Sequence, residues 1–408
     1  EYCITLDRVD ESLYAEIAEN TAQWQQWEDL GFKGTDAGWG VIEYLKQHQA
    51  LMVDTSLFSL EFKAKLLKRI DNLDAQTDGL IIHSDNFQAV NLIQKHYHEK
   101  VDTLYFDPPY NTSENSFYYK NNYKESSWLS MILNRAEISR FILKESGIVN
   151  FAIDDFELSK LQSLLDLVYG QNNRLGNLVV EIKPSGRTND FYLATSHEYS
   201  LIYAKNKDYS TDINFFNLNE DQKKVYKFKD ERGSFKWRDF MRTGGFSTPS
   251  ERPNSFYPIY FNEITNEISL SKKEGFIEIL PIDSLGQQRV WRKTPPSFME
   301  HLNNNEINIV KRPNGSFKVE IIDRIKEGTR PKSVWLNSKY DASSHGTKLI
   351  QKMIPDVGFS FPKSLYTVLD NLSLSLANNK NGVVADIFSG SGTTAHATIA
   401  LNREDNGN

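Results

Sequence analysis

Apolar residues recur at helical spacing in two stretches of the first 77 residues, then switch to short buried runs from Gly79 onward. The stretch 11–30, with Leu13, Ile17 and Trp24 among its apolar positions, predicts a helix, and 58–70, closed by Asp71-Asn72, predicts another. Residues 1–77 therefore read as a helical N-terminal extension that carries no evident chemistry. Beyond it, Leu80-Ile81-Ile82 predicts a strand ahead of a helix opening near Asp85, and 101–106, 147–153, 178–182 and 199–204 predict further strands. Amphipathic helices are expected over 126–144 and 156–168, and the alternation predicts βαβ units on a mainly parallel sheet. Between 205 and 332 the alternation gives way to aromatic-basic stretches such as 227–242, followed by a Thr-Gly-Gly-Phe turn at Thr243. A second, smaller domain or long insertion is expected there. The α/β texture returns over 333–408, with a helix at 364–376, a strand at 382–387 and a helix at 393–401. The fold class is thus α/β, divided as 1–77, 78–204, 205–332 and 333–408.

At 408 residues the chain exceeds what one core usually holds, which agrees with that division. Cys3 is its sole cysteine, so no internal disulfide and no multi-thiolate metal site can form, and no metal is expected. No apolar run has the length of a membrane span and no signal-peptide profile opens the chain, which reads as soluble and cytoplasmic. A start at Glu1 and a stop at Asn408 in a polar run read as an excerpt of something longer. The net charge of −7 argues against a nucleic-acid binder until it is divided: residues 205–332 hold 23 Lys+Arg against 18 Asp+Glu, the rest 24 against 36. A basic insertion on an acidic body fits a phosphate-facing region, and equally a mixed solvated surface.

Two segments carry chemistry. In the first, an apolar strand runs into Asp107-Pro108-Pro109-Tyr110-Asn111. Ligand sites of open parallel sheets lie beyond the carboxyl ends of strands, and two prolines stiffen the chain after Asp107. The carboxylate of Asp107 and the carbonyl of Pro108 offer two acceptors near one point, and Tyr110 offers a ring. Such groups suit the exocyclic amine of a flat heterocycle, whose nitrogen can pyramidalise once both hydrogens are held. A strand-to-loop turn with a capping Asp accounts for the same residues without chemistry.

In the second, a strand ends in Asp386 and continues through Phe388, Gly390, Gly392 and Thr393 into an Ala-rich helix. The glycines let backbone approach a ligand and the helix start supplies free N–H groups. No Lys follows the second glycine, which disfavours a phosphate-cradling loop and suits a zwitterion such as S-adenosylmethionine.

Together these residues resemble the amino-directed DNA methyltransferases of the permuted β class, most closely the modification subunits of type III restriction systems. Further matches are Gly79 to Asn86, Asn111-Thr112, Ser126-Ser127-Trp128-Leu129 with Asn134-Arg135, the Phe361-Pro362-Lys363-Ser364-Leu365-Tyr366 run, and Gly390 to Ala397 with Leu401-Asn402. The resemblance implies a Rossmann-like S-adenosylmethionine-dependent sheet with an inserted target-recognition domain at about 205–332. In it Asp107, Pro108, Pro109 and Tyr110 would grip a flipped adenine. Asp386, Phe388, Gly390, Gly392 and Thr393 would line the methyl donor, with Phe361, Lys363 and Ser364 at its methionine end and Asp85 nearby. Ser84 stands where relatives often carry glycine, and the acid holding the donor's ribose is expected beyond Asn408 rather than at Glu404 or Asp405.

The implied partners are double-stranded DNA, a second copy of the chain and a helicase-nuclease restriction subunit. Lys236, Arg238, Arg242, Arg289, Arg292 and Lys293 are the candidate DNA contacts, each also explicable as a surface charge. Asp before Pro-Pro-Tyr leans toward adenine N6 over cytosine N4 by family habit. A catalytically silent DNA-binding subunit and an RNA methyltransferase are the alternatives. His96 and His98 face apart on a helix, Asp154-Asp155 reads as a cap, and His345 has no role.

Overall fold

The computed structural model describes residues 1–32, 40–112, 123–188, 191–209, 213, 216, 223–326, 328–355, 358–377 and 379–407. These fall into two compact units: Glu1–Phe215 with Arg330–Asn408, and Phe216–Thr329.

The first unit begins with strands β1 (Cys3–Thr5) and β2 (Met52–Asp54), paired antiparallel, and helices α1 (Tyr14–Ala18), α2 (Thr21–Asp29), α3 (Ile42–Gln47) and α4 (Leu60–Lys68). Leu6, Leu13, Ile17, Trp24, Trp27, Leu45, Val53 and Leu66 form a core of their own. The helix expected over 11–30 is broken because Asn20 turns its side chain onto the Gln23 N–H and starts a new helix there. Ser59 caps α4 in the same way through Phe62.

The central sheet has six strands: β3 (Val101–Phe106), β4 (Leu143–Ile153), β5 (Arg174–Glu181), β6 (His197–Ala204), β7 (Val334–Trp335) and β8 (Val384–Asp386), in the order β7-β5-β6-β4-β3-β8. The pairs β3/β4, β3/β8 and β5/β7 are parallel. Strand β6 follows β5 without a helix among the described residues, so it returns antiparallel to β5 and lies antiparallel to β4, and the sheet is mixed. The strand expected at Leu80-Ile81-Ile82 does not form. Ile81 is 92% exposed, and among the described residues β8 pairs only with β3, so the triplet has no ladder to join.

Helices α5 (Asn86–Ile93), α6 (Glu125–Ile142) and α7 (Leu158–Leu165) cover one face over Leu104, Phe106, Val149 and Phe151. The other face, with Tyr105 and Ala152, takes α9 (Leu365–Leu376) and α10 (Thr393–Asp405), while α8 (Lys348–Met353) precedes them. Alternation along β3 sends Leu104 and Phe106 one way and Tyr105 the other, as a strand covered on both faces requires. Asn150 bonds Ser375 at 2.8 Å and Ser200 bonds Asn371 at 3.0 Å, a buried polar seam that fixes α9 on the sheet. No described helix is long and apolar enough to cross a membrane.

The second unit is built on a four-stranded antiparallel sheet ordered Ile307–Lys311, Phe317–Arg324, Gly233–Asp239, Phe228–Asp230. Phe240, Ile259, Trp291, Phe298 and Ile321 form its core. Phe216 and Thr329 exchange backbone hydrogen bonds of 3.0 and 2.9 Å, so its chain leaves and returns at one point.

Candidate active site

Parallel pairing of β3 with β8 (Tyr105 opposite Asp386) and with β4 (Phe106 opposite Phe151) brings three strand ends to one edge of the sheet. Asp107, Asp154 and the Asp386 loop leave from those ends, so residues 279 positions apart in sequence become neighbours. Asp107 and Asp386 sense each other's charge.

The turn after β3 is held from outside. The Trp128 indole N–H donates to the Pro109 carbonyl at 2.8 Å, and Trp128 is fully buried. Asn111 adopts a left-handed φ of 61° and bonds Glu157 at 2.7 Å and the Tyr123 backbone on both sides. Pro108 is buried, and the Asp107 side chain is 27% exposed, so the acid opens to solvent at the sheet edge.

Around Asp107 lies a charged cluster with a member that sequence reading did not find. Glu198 on β6, 2% exposed, accepts from Lys363 Nζ at 2.6 Å and from the Tyr110 hydroxyl at 3.0 Å. Lys363 Nζ also lies 3.3 Å from Asp107 Oδ1, bonds the Tyr110 hydroxyl and stands 4.4 Å from the Tyr110 ring centroid. Burial pushes Asp107 above the usual carboxylate range; Lys363 pulls it back and Glu198 pushes it up again. Burial works against the Lys363 ammonium, yet Asp107 and Glu198 more than offset it and hold it charged. Burial, Glu198 and Asp107 keep Tyr110 a neutral phenol, the form that donates to Glu198. Lys363 is thereby found on the Asp107 side, against Glu198 and Tyr110.

The Asp386 loop is built differently. Asp386 accepts from the Phe388 N–H at 2.8 Å and from the Thr394 hydroxyl at 2.6 Å, so both its oxygens are engaged inside the loop. Burial raises it to about 6. Gly390 and Gly392 have φ of 51° and 76°, conformations that a side chain strains, and a Cβ at Gly390 would also lie 3.4 Å from the Phe359 ring. Gly392 starts α10 without a side-chain cap, and the Ser391 and Thr393 hydroxyls pair with each other at 2.9 Å. Phe388 packs inward on Phe106. Among the described residues no Lys or Arg side chain is paired to residues 386–394. A narrow backbone cradle with free helix N–H groups and no cation fits a zwitterionic donor and not a polyphosphate.

Asp85 caps α5 through the Phe87 N–H, and its neighbour Asn86 donates to the Ile387 carbonyl at 3.1 Å. Arg135 ties this pair, reaching Asn86 at 2.9 Å and Asp85 at 3.5 Å. Asp85 therefore stands beside the glycine loop. Phe361 has a φ of 60°, costly for a bulky side chain, and the residue is 61% exposed. Ser364 is buried on the Lys339 carbonyl at 2.8 Å, holding the start of α9. A Cβ at Gly346 would meet the Pro362 carbonyl at 2.5 Å, which accounts for the glycine beside His345.

In the second unit the six candidate cations divide. Arg289 is spent internally on Asp283 at 2.8 Å, Gln287 at 2.6 Å and Ser247 at 3.2 Å. Lys236 lies 3.7 Å from Asp323 and 4.8 Å from the Tyr226 ring centroid. Arg292 stays below its ordinary pKa because of burial and of the positive charges of Arg238 and Arg242, so these three arginines form one group. Arg242 bonds the Gly245 carbonyl at 2.9 Å, and Arg238 and Lys293 are exposed.

Residues 101–407 match the DNA methylase family model. The chain is 32% identical over 368 residues to the type II methyltransferase M.KpnI of Klebsiella pneumoniae, covering 86% of this chain and 83% of that protein. It is 28% identical over 368 residues to the type III restriction-modification enzyme EcoPI Mod subunit of Escherichia phage P1, covering 81% of this chain but only 56% of that subunit. The crystal structure of the M1.HpyAVI–SAM complex aligns with 79% of this chain and 88% of its own, at 13% identity and a TM-score of 0.33. With its family model spanning both strand-end loops, the chain belongs to the DNA methylases.

Proposed function

We propose that this DNA methylase methylates the N6 amino group of an adenine flipped out of duplex DNA, with Asp107, Pro108 and Tyr110 as the groups that hold the base. The observation that carries the reading is the placement of Asp107 and the Asp386 loop on adjacent parallel strand ends, one open acid beside one glycine cradle. Inside a stacked duplex the amine is out of reach, and extrusion costs a few kcal/mol. Asp107 and the Pro108 carbonyl accept its two hydrogens, turning the nitrogen lone pair out of conjugation with the ring. Tyr110 presents its ring for stacking. When bound, S-adenosylmethionine would supply an electrophilic methyl group on a sulfonium, whose sulfur takes the bonding pair and leaves as a neutral thioether. Gly390, Gly392 and the first turn of α10 hold it by backbone, with Asp85 and Phe361 at the borders of the cradle. Once alkylated, the nitrogen becomes acidic, and Asp107, raised by burial, is the group placed to take its proton. Effective concentration of amine and methyl supplies most of the rate.

Target reading belongs in this proposal to the second unit, with Arg238, Arg242, Arg292 and Lys293 as phosphate or base contacts and Lys236 beside them. Arg289 and Lys236 are the members of the set whose charges are already paired, with Asp283 and Asp323. Pairing with a second copy and with a restriction subunit extends the proposal through the relative named as a Mod subunit.

The test is to express the protein in cells lacking other methylases and to analyse the DNA by nucleoside mass spectrometry and methylation-sensitive sequencing. N6-methyladenine in one sequence context is the expected result. N4-methylcytosine would redirect the reading to the other amine, and unmethylated DNA with intact donor binding would overturn it.

A further inference from the structure

The cluster behind Asp107 contains more charge than holding an amine requires. Lys363 Nζ bridges Asp107 at 3.3 Å and Glu198 at 2.6 Å, and Glu198 in turn fixes the Tyr110 hydroxyl at 3.0 Å. Side-chain exposures of 12% for Lys363 and 3% for Glu198 mean that two ions have been taken out of water. A buried pair of this kind is a poor source of net stability, because desolvation consumes most of the Coulomb gain. Its geometry instead couples the two amine-holding side chains, the Asp107 acid and the Tyr110 ring, to one ammonium.

We propose that Glu198 and Lys363 are positioning residues of the methyl-transfer site, a buried ion pair that sets the charge of Asp107 and the tilt of Tyr110 and does not contact the methyl donor. The inference rests on the proposed role of Asp107 and Tyr110 in holding the amine. The groups that face Asp107 are Tyr105 on β3, Tyr110 in the following loop, Glu198 on β6, Asp386 at the end of β8 and Lys363 ahead of α9. Asp154, at the end of β4, joins the cluster through its interactions with Lys363, Glu198 and Tyr110. Burial and Glu198 resist ionisation of Asp107, whereas Lys363 and the Tyr110 hydroxyl, each by hydrogen bonding, favour it. Among the described residues Lys363 is the cation that acts on it. With Lys363 in place Asp107 is a carboxylate that accepts the amine and afterwards takes its proton. Without Lys363, Glu198 and burial favour the protonated acid, which has lost that capacity. Glu198 plays the opposing part, drawing the ammonium off Asp107 so that the acid is not locked in a tight pair that an incoming amine would have to break.

This arrangement predicts shifts of opposite sign, which a merely structural pair would not give. Lys363→Met should move the acid limb of the kcat profile up by about one pH unit, and Glu198→Gln, which keeps an acceptor for Tyr110, should move it down by about one. Below the limb Lys363→Met should lose about tenfold in kcat, the worth of one such shift, with the KM for S-adenosylmethionine unchanged. The double variant, which removes both opposing charges from beside Asp107, should return the limb toward its original position, and Lys363→Arg should leave it there.

The measurement uses the full chain, plasmid DNA and labelled S-adenosylmethionine, with thermal melts to verify folding. Should Lys363→Met not fold, Glu198→Gln and the double variant decide the matter alone. Limbs that stay fixed or move together would overturn the inference, as would a raised KM for the donor with an unmoved limb, which would return Lys363 to the methionine end of the donor. Asp107→Ala separates the two levels: full turnover in that variant sinks the underlying function, whereas an inactive Asp107→Ala with unmoved limbs in the others sinks this inference alone.

Discussion

Asp107 and Asp386 leave neighbouring parallel strands at the same edge of the sheet, and burial raises the pKa of both, yet they are built for different work. Asp386 turns both oxygens inward, onto the Phe388 N–H and the Thr394 hydroxyl, and so serves as the internal brace of a glycine loop. Asp107 shares one ammonium with Glu198 and remains partly open to solvent. On the proposed reading, what separates a reacting acid from a structural one is its set of partners and not its place at a strand end.

Replacing each acid should sharpen that contrast. Asp107→Ala is expected to lower turnover by about a thousandfold or more while donor affinity by calorimetry stays unchanged, since it removes a group that acts on the amine. Asp386→Ala leaves one buried N–H and one hydroxyl unpaired in the cradle, and donor affinity should fall by roughly thirtyfold. If Asp386→Ala lowered turnover at saturating donor as much as Asp107→Ala does, the distinction between brace and reacting acid would be lost.

How much of this the sequence revealed depended on how local each cause was. The two loops were legible because proline, glycine and a strand-ending acid act within a few residues of one another. The six-stranded sheet was largely legible for the same reason, in strands such as 101–106 and 147–153 with their intervening helices. Asn20 was not, since a polar residue inside an amphipathic pattern caps a helix or tolerates one, and the backbone around it decides. Leu80-Ile81-Ile82 was apolar enough for a strand, but a strand exists only against a neighbour. Glu198 was the largest omission. In β6 it occupies one of a run of alternating buried positions, and what makes burial of a carboxylate tolerable there is Lys363, 165 residues later. A glutamate in step with Ser200, Ile202 and Ala204 on the buried face of the strand is the signal that could have raised it. The resemblance sets Lys363 at the methionine end of the donor, and the structure shows its ammonium paired with Glu198 and Asp107.

A third acid extends the comparison to stability. Asp154, 1% exposed at the end of β4, uses one oxygen on the Phe156 N–H at 3.1 Å, and its other oxygen has no hydrogen-bond partner among the described residues. Burial raises it to about 6. A carboxyl whose folded-state pKa is raised contributes stability that is complete below its unfolded value near 3.8 and is lost as pH rises through about 6. Asp154→Asn keeps the acceptor for Phe156 and removes the charge, so it should raise stability at pH 7.5 by about 2–3 kcal/mol and change little at pH 4. Denaturant titrations at the two pH values measure this, and an equal effect at both would mean that the carboxylate is not the cause.

The smallest expected effects lie in the second unit, where the contrast between open and spent groups recurs in cations. Burial and the charges of Arg238 and Arg242 lower the Arg292 pKa, whereas Arg289 faces Asp283. Like-charged arginines held together cost free energy in the isolated protein and regain it when a phosphate arrives and counterions leave. Arg238→Ala should weaken DNA binding a few-fold and flatten the slope of log K against log salt by about 0.9, one phosphate contact. Arg289→Ala should leave that slope unchanged and lower the melting temperature, because it unpairs Asp283 without removing any charge available to DNA. Fluorescence anisotropy across a salt series distinguishes the two, and a reduced slope for Arg289→Ala with none for Arg238→Ala would reverse the assignment of open and spent groups in this unit.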